Sequence, residues 1–102
     1  MSTRLDAALH APARLQIAAM LARVEDAEFA VIRDVVDVSD SVLSKHLSAL
    51  KEAGYVDLRK AAQDGRQRTW VSLTGAGRRA FAGHMAALQD LVASAQAAIS
   101  AV

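Results

Sequence analysis

The sequence predicts an α+β domain that is mainly α-helical and carries one small β-hairpin. Apolar residues recur at helical spacing over most of the 102 residues, and the pattern changes to alternation on both sides of one Asp-Gly turn signal at Asp64 and Gly65. Hydrophobic residues make up 53% of the chain, enough for one compact core at this length. Residues 1–102 are therefore expected to form a single domain.

Composition excludes several classes of protein. The chain has no cysteine, which rules out disulfides and thiolate metal sites and fits a reducing compartment. The first residues lack the apolar core of a signal peptide, and no apolar run approaches the ~18 residues of a membrane span. The expectation is a soluble, cytoplasmic protein.

The N-terminal third is predicted to be helical. Leu5, Ala8 and Leu9 have helical spacing, so a short first helix is expected before Pro12, where a second helix begins and continues to about Arg23. Residues 25–28 form an acidic connector in this interpretation, and a third helix covers about 30–36.

A fourth helix is predicted from Asp40 to Ala53, so that a helix-turn-helix covers about 30–53. Ser39 is a favourable N-cap and Gly54 a favourable C-terminal stop. At about 100° per residue, one side of this helix carries leucines and the other carries small polar residues and a lysine. The leucine stripe consists of Leu43, Leu47 and Leu50, and the opposite side of Ser41, Lys45, Ser48 and Glu52, flanked by Val42 and Ser44.

The next segment, about 55–73, is predicted to be a β-hairpin with an arginine-rich tip. Trp70 is expected to fill the core from the second strand. A last helix then covers about 76–100, with Thr74 as its cap, and its apolar residues follow the alternating four-three spacing of a heptad seam.

Charge is segregated along the chain although the net charge is only +1. Residues 1–40 carry four arginines and seven acids, whereas residues 41–79 carry eight basic and three acidic residues. A helix-turn-helix followed by a basic hairpin is typical of winged helix-turn-helix proteins that bind double-stranded DNA. The candidate DNA-binding residues are Ser39, Ser41, Val42, Ser44, Lys45, Ser48, Arg59, Arg66 and Arg68. We expect Ser44 and Ser48 to influence which sequence is bound, and Arg66 and Arg68 to influence overall affinity.

Three motifs carry a resemblance to a known family. They are the Ser-x-Leu-Ser-Lys-His-Leu run at 41–47, the Leu-x-x-Ala-Gly-Tyr-Val run at 50–56 and the Leu-Thr-x-x-Gly-Arg run at 73–78. Over roughly residues 5–90 the chain resembles the short, stand-alone MarR/ArsR-like winged-helix transcriptional regulators. The resemblance implies promoter binding and dimerisation through terminal helices. The first helix is too short to frame the ligand pocket of full-length MarR proteins, so no effector is assigned.

The last helix is expected to form a homodimer, because a helix of ~25 residues is longer than one side of so small a domain. The same seam would also suit packing within one chain. The candidate dimerisation residues are Leu5, Leu9, Phe81, Met85, Leu88, Val92, Ala95 and Ile99. A dimer would place two reading helices on a pseudo-palindromic operator with half-sites about one helical turn apart.

Other functions are compatible with parts of the sequence. A winged helix also serves as a protein–protein module, and the polar helix face would then be an ordinary solvated surface. An ArsR-like metal sensor is disfavoured because His10, His46 and His84 lie on separate helices without ligand spacing. The sequence has no cysteine nucleophile and no glycine-rich phosphate loop, so it predicts neither an enzyme nor a cofactor.

Overall fold

The computed structural model describes residues 4–101, which form four helices and one three-stranded sheet. The elements in chain order are α1 (Pro12–Leu21), β1 (Ala27–Glu28), α2 (Phe29–Val36), α3 (Asp40–Glu52), β2 (Val56–Gln63), β3 (Arg66–Leu73) and α4 (Gly75–Ser100). The strands are antiparallel in the order β1-β3-β2. The predicted α+β class with one hairpin is confirmed.

The predicted helix over Leu5 to Leu9 is wrong, because this segment forms only a turn. The Asp6 carboxylate accepts a hydrogen bond from the Ala8 N–H at 2.8 Å, and the Leu9 N–H donates to the Asp6 carbonyl at 3.1 Å. Ala11 is extended, as expected for the residue before a proline, so the turn cannot continue into α1. The helix that begins at Pro12 ends at Leu21, two residues before the predicted end.

The helix-turn-helix agrees closely with its prediction. Asp37 adopts the left-handed conformation (φ +60°) between α2 and α3, and the Ser39 hydroxyl caps α3 by accepting a hydrogen bond from the Val42 N–H at 3.2 Å. At the other end Gly54 (φ +82°) donates to the Lys51 carbonyl and Tyr55 donates to the Leu50 carbonyl, each at 2.9 Å. These two bonds form a Schellman motif that ends α3.

The hairpin covers the predicted segment and turns at the predicted place. Asp64 (φ +53°) and Gly65 (φ +76°) form a two-residue loop, and both positive φ values match the turn that follows the twist of a hairpin. Strand β1 was not predicted; its two residues, assigned to the acidic connector, pair with Val71 and Trp70 of β3.

The core lies between the helices and one face of the sheet. Its largest fully buried apolar side chains are Leu9, Ile17, Leu21, Ile32, Leu43, Leu47, Leu50, Val56 and Val71. Alternation along β3 directs Val71 and Leu73 into this core and Trp70 to the opposite, outer face of the sheet. The prediction that Trp70 fills the core is therefore wrong; Trp70 is half-buried.

Helix α4 begins where the end of α3 meets the sheet. The Thr74 hydroxyl accepts a hydrogen bond from the Gly77 N–H at 2.9 Å and donates to the Gly54 carbonyl at 2.7 Å. Gly77 lies directly against the Tyr55 carbonyl, which leaves no space for a side chain. The glycine that weakens this helix by propensity is thus required for its close approach to α3.

The second half of α4 extends away from the domain. Every side chain from 89 to 101 is exposed, and the described molecule measures 61 × 26 × 21 Å. In residues 4–101, no helix combines the length and the apolar character needed to cross a membrane.

Candidate nucleic-acid interface

The outward side of α3 is the centre of the candidate interface. Leu43, Leu47 and Leu50 are buried, and this fixes the rotation of the helix so that its polar side faces solvent. The side chains of Ser41, Val42, Ser44, Lys45 and Ser48 are all exposed, as predicted. We call these five residues the reading face.

The reading face divides into two parts when the residues are placed around the helix axis at about 100° per residue. Ser41 and Lys45 point away from the core. Ser44 and Ser48 turn towards the hairpin and line a recess there, whereas Val42, which is 40% exposed, lies on the side away from it. Ser39, predicted both as the cap of α3 and as a DNA contact, caps the helix: its hydroxyl accepts the Val42 N–H and lies 3.2 Å from the Ser41 hydroxyl.

One arginine bridges an acid of α2 and the first residue of α3. The Arg33 guanidinium contacts the carboxylates of Asp34 at 2.9 Å and Asp40 at 3.0 Å. The hydrogen bond to Asp34, followed by the one to Asp40, raises the pKa of Arg33. Because one guanidinium charge is shared by two carboxylates, the negative charge of Asp40 beside the reading face is reduced and not cancelled.

The wing, β2 and β3 with their connecting turn, presents fewer free arginines than expected. Arg68 forms an ion pair with Glu28 of β1 at 2.7 Å, and the two side chains are only 30% and 19% exposed. Arg59 forms an ion pair with Asp26 at 3.3 Å. Arg66, at the tip, is exposed, and no carboxylate in residues 4–101 lies within 4.0 Å of it.

A recess of about 240 Å³ separates α3 from the wing. Its lining combines one lysine and three hydroxyl-bearing residues with three apolar residues. It is lined by Phe29, Ser44, Leu47, Ser48, Leu58, Lys60 and Thr69. Lys60 was not among the predicted site residues. The signal was present, since alternation from the buried Val56 through Leu58 places Lys60 on the face that looks towards α3.

The predicted dimerisation residues fall into three groups. Leu9 is fully buried in the core of its own chain, so its prediction as a partner contact is wrong. Phe81, Met85 and Leu88 are half-buried. Val92 (53%), Ala95 and Ile99 (73%) are exposed on the projecting half of α4, as is Leu5 in the N-terminal segment. Val102, the last residue of the seam, lies outside the described residues.

Two of the three histidines are neighbours, contrary to the expectation that none would meet. The rings of His10 and His84 pack edge to face with their centroids 6.0 Å apart. His84 is buried, and its Nδ1 accepts a hydrogen bond from the Asp6 N–H at 2.8 Å. The described part of the chain contains no group of three or more metal-ligating side chains.

The helix-turn-helix, the exposed polar face of its second helix and the adjoining wing together define a winged helix-turn-helix DNA-binding protein. A family model described as a winged helix DNA-binding domain matches residues 13–92. The chain belongs to this family.

Individual relatives agree with this assignment. An uncharacterized protein of Methanocaldococcus jannaschii, MJ0432, is 35% identical over 67% of this chain and 74% of its own. A transcriptional regulator homologue from Pyrococcus horikoshii OT3 is 29% identical, with a TM-score of 0.80 over 85% of this chain and 86% of that one. Lactococcus lactis ZitR, a zinc-responsive MarR family member, shares the fold at 22% identity, with a TM-score of 0.60 over all of this chain and 66% of that one.

Proposed function

We propose that this protein is a homodimeric transcriptional regulator that binds a specific sequence of double-stranded DNA. The observation that carries the proposal is the reading face of α3, a solvent-exposed row of small hydroxyl side chains with one lysine. Small side chains let a helix approach base edges closely in the major groove. The ion pair between Arg33 and Asp40 reduces the repulsion between this carboxylate and DNA phosphates.

Three residues are assigned to base recognition. Lys45 points directly outward, and an ammonium in this position suits either a guanine edge or a phosphate. The Ser41 hydroxyl suits any base that offers a donor or acceptor. The exposed Val42 methyl groups suit the methyl group of thymine. Arg66 at the wing tip is assigned to the DNA backbone or the adjacent minor groove.

Dimerisation through α4 is the second part of the proposal. The helix has 26 residues, about 39 Å, and its side chains from Gln89 to Ser100 are all exposed. Val92 and Ile99 lie on one stripe of this projecting segment, and exposed apolar residues at such spacing favour pairing with another helix. A second copy of the chain supplies an identical stripe, so a two-fold axis across α4 buries both.

The experiment is a titration of labelled duplex DNA, starting from a sequence selected out of a random pool. Lys45→Ala is compared with Arg23→Ala, which removes the same charge beside a groove between α1 and α2 that shares no residue with α3 or the wing. Affinity is measured at several salt concentrations with the selected and a scrambled duplex, and the melting temperature is the control for folding.

We expect Lys45→Ala to weaken binding and Arg23→Ala to leave it near wild type. Loss of a phosphate contact reduces the salt dependence by about one ion per site for every sequence, whereas loss of a guanine contact costs ~1 to 3 kcal/mol at one base position. Binding that does not respond to salt indicates an apolar docking surface and contradicts the proposal. Equal affinities for wild type and Lys45→Ala contradict the assignment of the reading face.

A further inference from the structure

The recess between α3 and the wing points to a second kind of DNA contact. The inference rests on the proposed function, because it concerns how the same surface holds the duplex. A helix in the major groove and a wing tip in the adjacent minor groove lie on opposite sides of one sugar–phosphate strand. That strand must pass over the space between α3 and the wing, which is where the recess lies.

The chemistry of the recess matches a sugar–phosphate unit. Ser44 and Ser48 contribute hydroxyls from α3, Thr69 contributes a hydroxyl from β3, and Lys60 contributes an ammonium from β2. Hydroxyls and ammonium groups are donors to phosphate oxygens. The apolar lining residues, Phe29, Leu47 and Leu58, suit the carbon face of a deoxyribose ring. The recess therefore provides polar contacts for a phosphate and apolar contacts for the sugar attached to it.

The charges around Lys60 support this assignment. No carboxylate in the described residues lies within 4.0 Å of its ammonium, whereas two arginines of the hairpin, Arg59 and Arg68, are held in ion pairs. Those two guanidinium groups belong to the outer face of the sheet, with Trp70. Lys60 is thus the wing cation that faces α3 with its charge uncompensated.

We propose that this recess is the binding site of one backbone phosphate and its sugar, with Lys60 as the charged contact and Ser44 and Ser48 as hydroxyl donors. This assignment moves Ser44 and Ser48 from base recognition to the positioning of the backbone. Base recognition then falls to the part of the reading face that points away from the wing.

The test compares Lys60→Gln with Arg23→Gln, two single charge removals of which only the first lies at the recess. Affinity for the selected and the scrambled duplex is measured between low and high salt. One phosphate contact contributes about 0.9 to the slope of log affinity against log salt, so each protomer's contact accounts for about an eightfold change in affinity over a tenfold change in salt. Lys60→Gln should lose this contribution on both duplexes, and Arg23→Gln should keep it.

Each outcome is decisive. If the wild type binds DNA and Lys60→Gln retains the wild-type affinity and salt dependence, the recess is not a phosphate-binding site. The proposed function is not affected by that result. A loss confined to one base position with an unchanged slope shows that Lys60 reads a base, which also overturns the inference. A wild type that binds no duplex overturns both. The double variant Ser44→Ala, Ser48→Ala should bind the selected and the scrambled duplex more weakly by the same factor. An altered base preference contradicts the assignment of these two serines to the phosphate-binding site.

Discussion

Gly77 offers a sharp test of how α4 is attached to the rest of the domain. Replacing it with alanine places a methyl group against the Tyr55 carbonyl oxygen and carbon, and 3.1 Å from a methyl carbon of Leu73. The first two neighbours are backbone atoms, and the carbonyl already accepts the Thr74 N–H at 3.0 Å. Neither side can move without separating α4 from the end of α3.

The magnitude follows from two opposing effects. Overpacking of this kind costs about 1 to 3 kcal/mol, and weakening of the Thr74 hydrogen bonds adds about 1 kcal/mol. The higher helix propensity of alanine relative to glycine offsets at most about 1 kcal/mol of this destabilisation. Gly77→Ala should therefore lower the free energy of unfolding by about 2 kcal/mol, which is ~8 to 16 °C in melting temperature for a domain of this size.

Gly83→Ala is the matched control in the same helix. A methyl group at Gly83 meets no atom within 4 Å, so only the propensity gain applies, and the melting temperature should rise by a few degrees. Both variants are melted at one protein concentration, because the proposed dimerisation would make the midpoint depend on concentration. If Gly77→Ala is as stable as Gly83→Ala, the close contact between α4 and Tyr55 does not exist.

Three further predictions concern other contacts. The hydrogen bond to the Asp6 carboxylate, together with burial, raises the pKa of Tyr55, so its contribution to stability is present below pH ~10 and lost as the pH rises through the folded-state pKa. In paired denaturant titrations, Tyr55→Phe should remove that alkaline loss and cost about 1 kcal/mol at neutral pH; identical pH curves would contradict it. Arg68→Ala strands a half-buried carboxylate and should cost about 1 to 2 kcal/mol in chemical unfolding, whereas Arg59→Ala, an exposed pair, should cost under about 0.5; equal costs would be inconsistent with the two environments. In sedimentation, Val92→Asp should yield folded monomers while Ser94→Asp, on the opposite side of α4, stays dimeric; a dimeric Val92→Asp would exclude this seam.

The helices and the hairpin were predictable because their signals are local. Ser39 and Gly54 delimit α3 through hydrogen bonds within a few residues, and the leucine stripe fixes which side faces the core. The Asp64-Gly65 pair specifies its turn through backbone conformation alone. In each case the information lies within one turn or one helix.

The errors arose where the outcome depends on distant parts of the chain. Strand β1 forms because its two residues pair with the edge of β3. A segment of two residues is too short to show the alternating pattern of a strand. Trp70 lies outside the core because the burial of Val71 directs the neighbouring side chains of β3 to the outer face of the sheet. A single large aromatic residue does not show which face of the strand it occupies. The segment from Leu5 to Leu9 has helical spacing, but Asp6 is used instead to join α4 through His84 and the end of α3 through Tyr55.

The candidate site was predictable in its helix and less so in its wing. Exposure of Lys45 follows from the helix period, whereas the pairing of Arg68 with Glu28 requires the sheet order, which places β1 beside β3. The alternation of β2 predicts which face of the strand carries Lys60. Only the tertiary structure shows that α3 lies across the recess from it. Charge counted along the sequence thus overestimated the arginines that are free to bind a ligand.

The most direct test of the central claim is selection of bound sequences from a random duplex pool by the purified wild-type protein. Specific binding by a dimer through two copies of α3 predicts enrichment of a pseudo-palindromic motif whose half-sites lie about 10 base pairs apart, with affinity that falls steeply as salt rises. A pool that returns no enriched motif, or binding that is indifferent to salt, would contradict it.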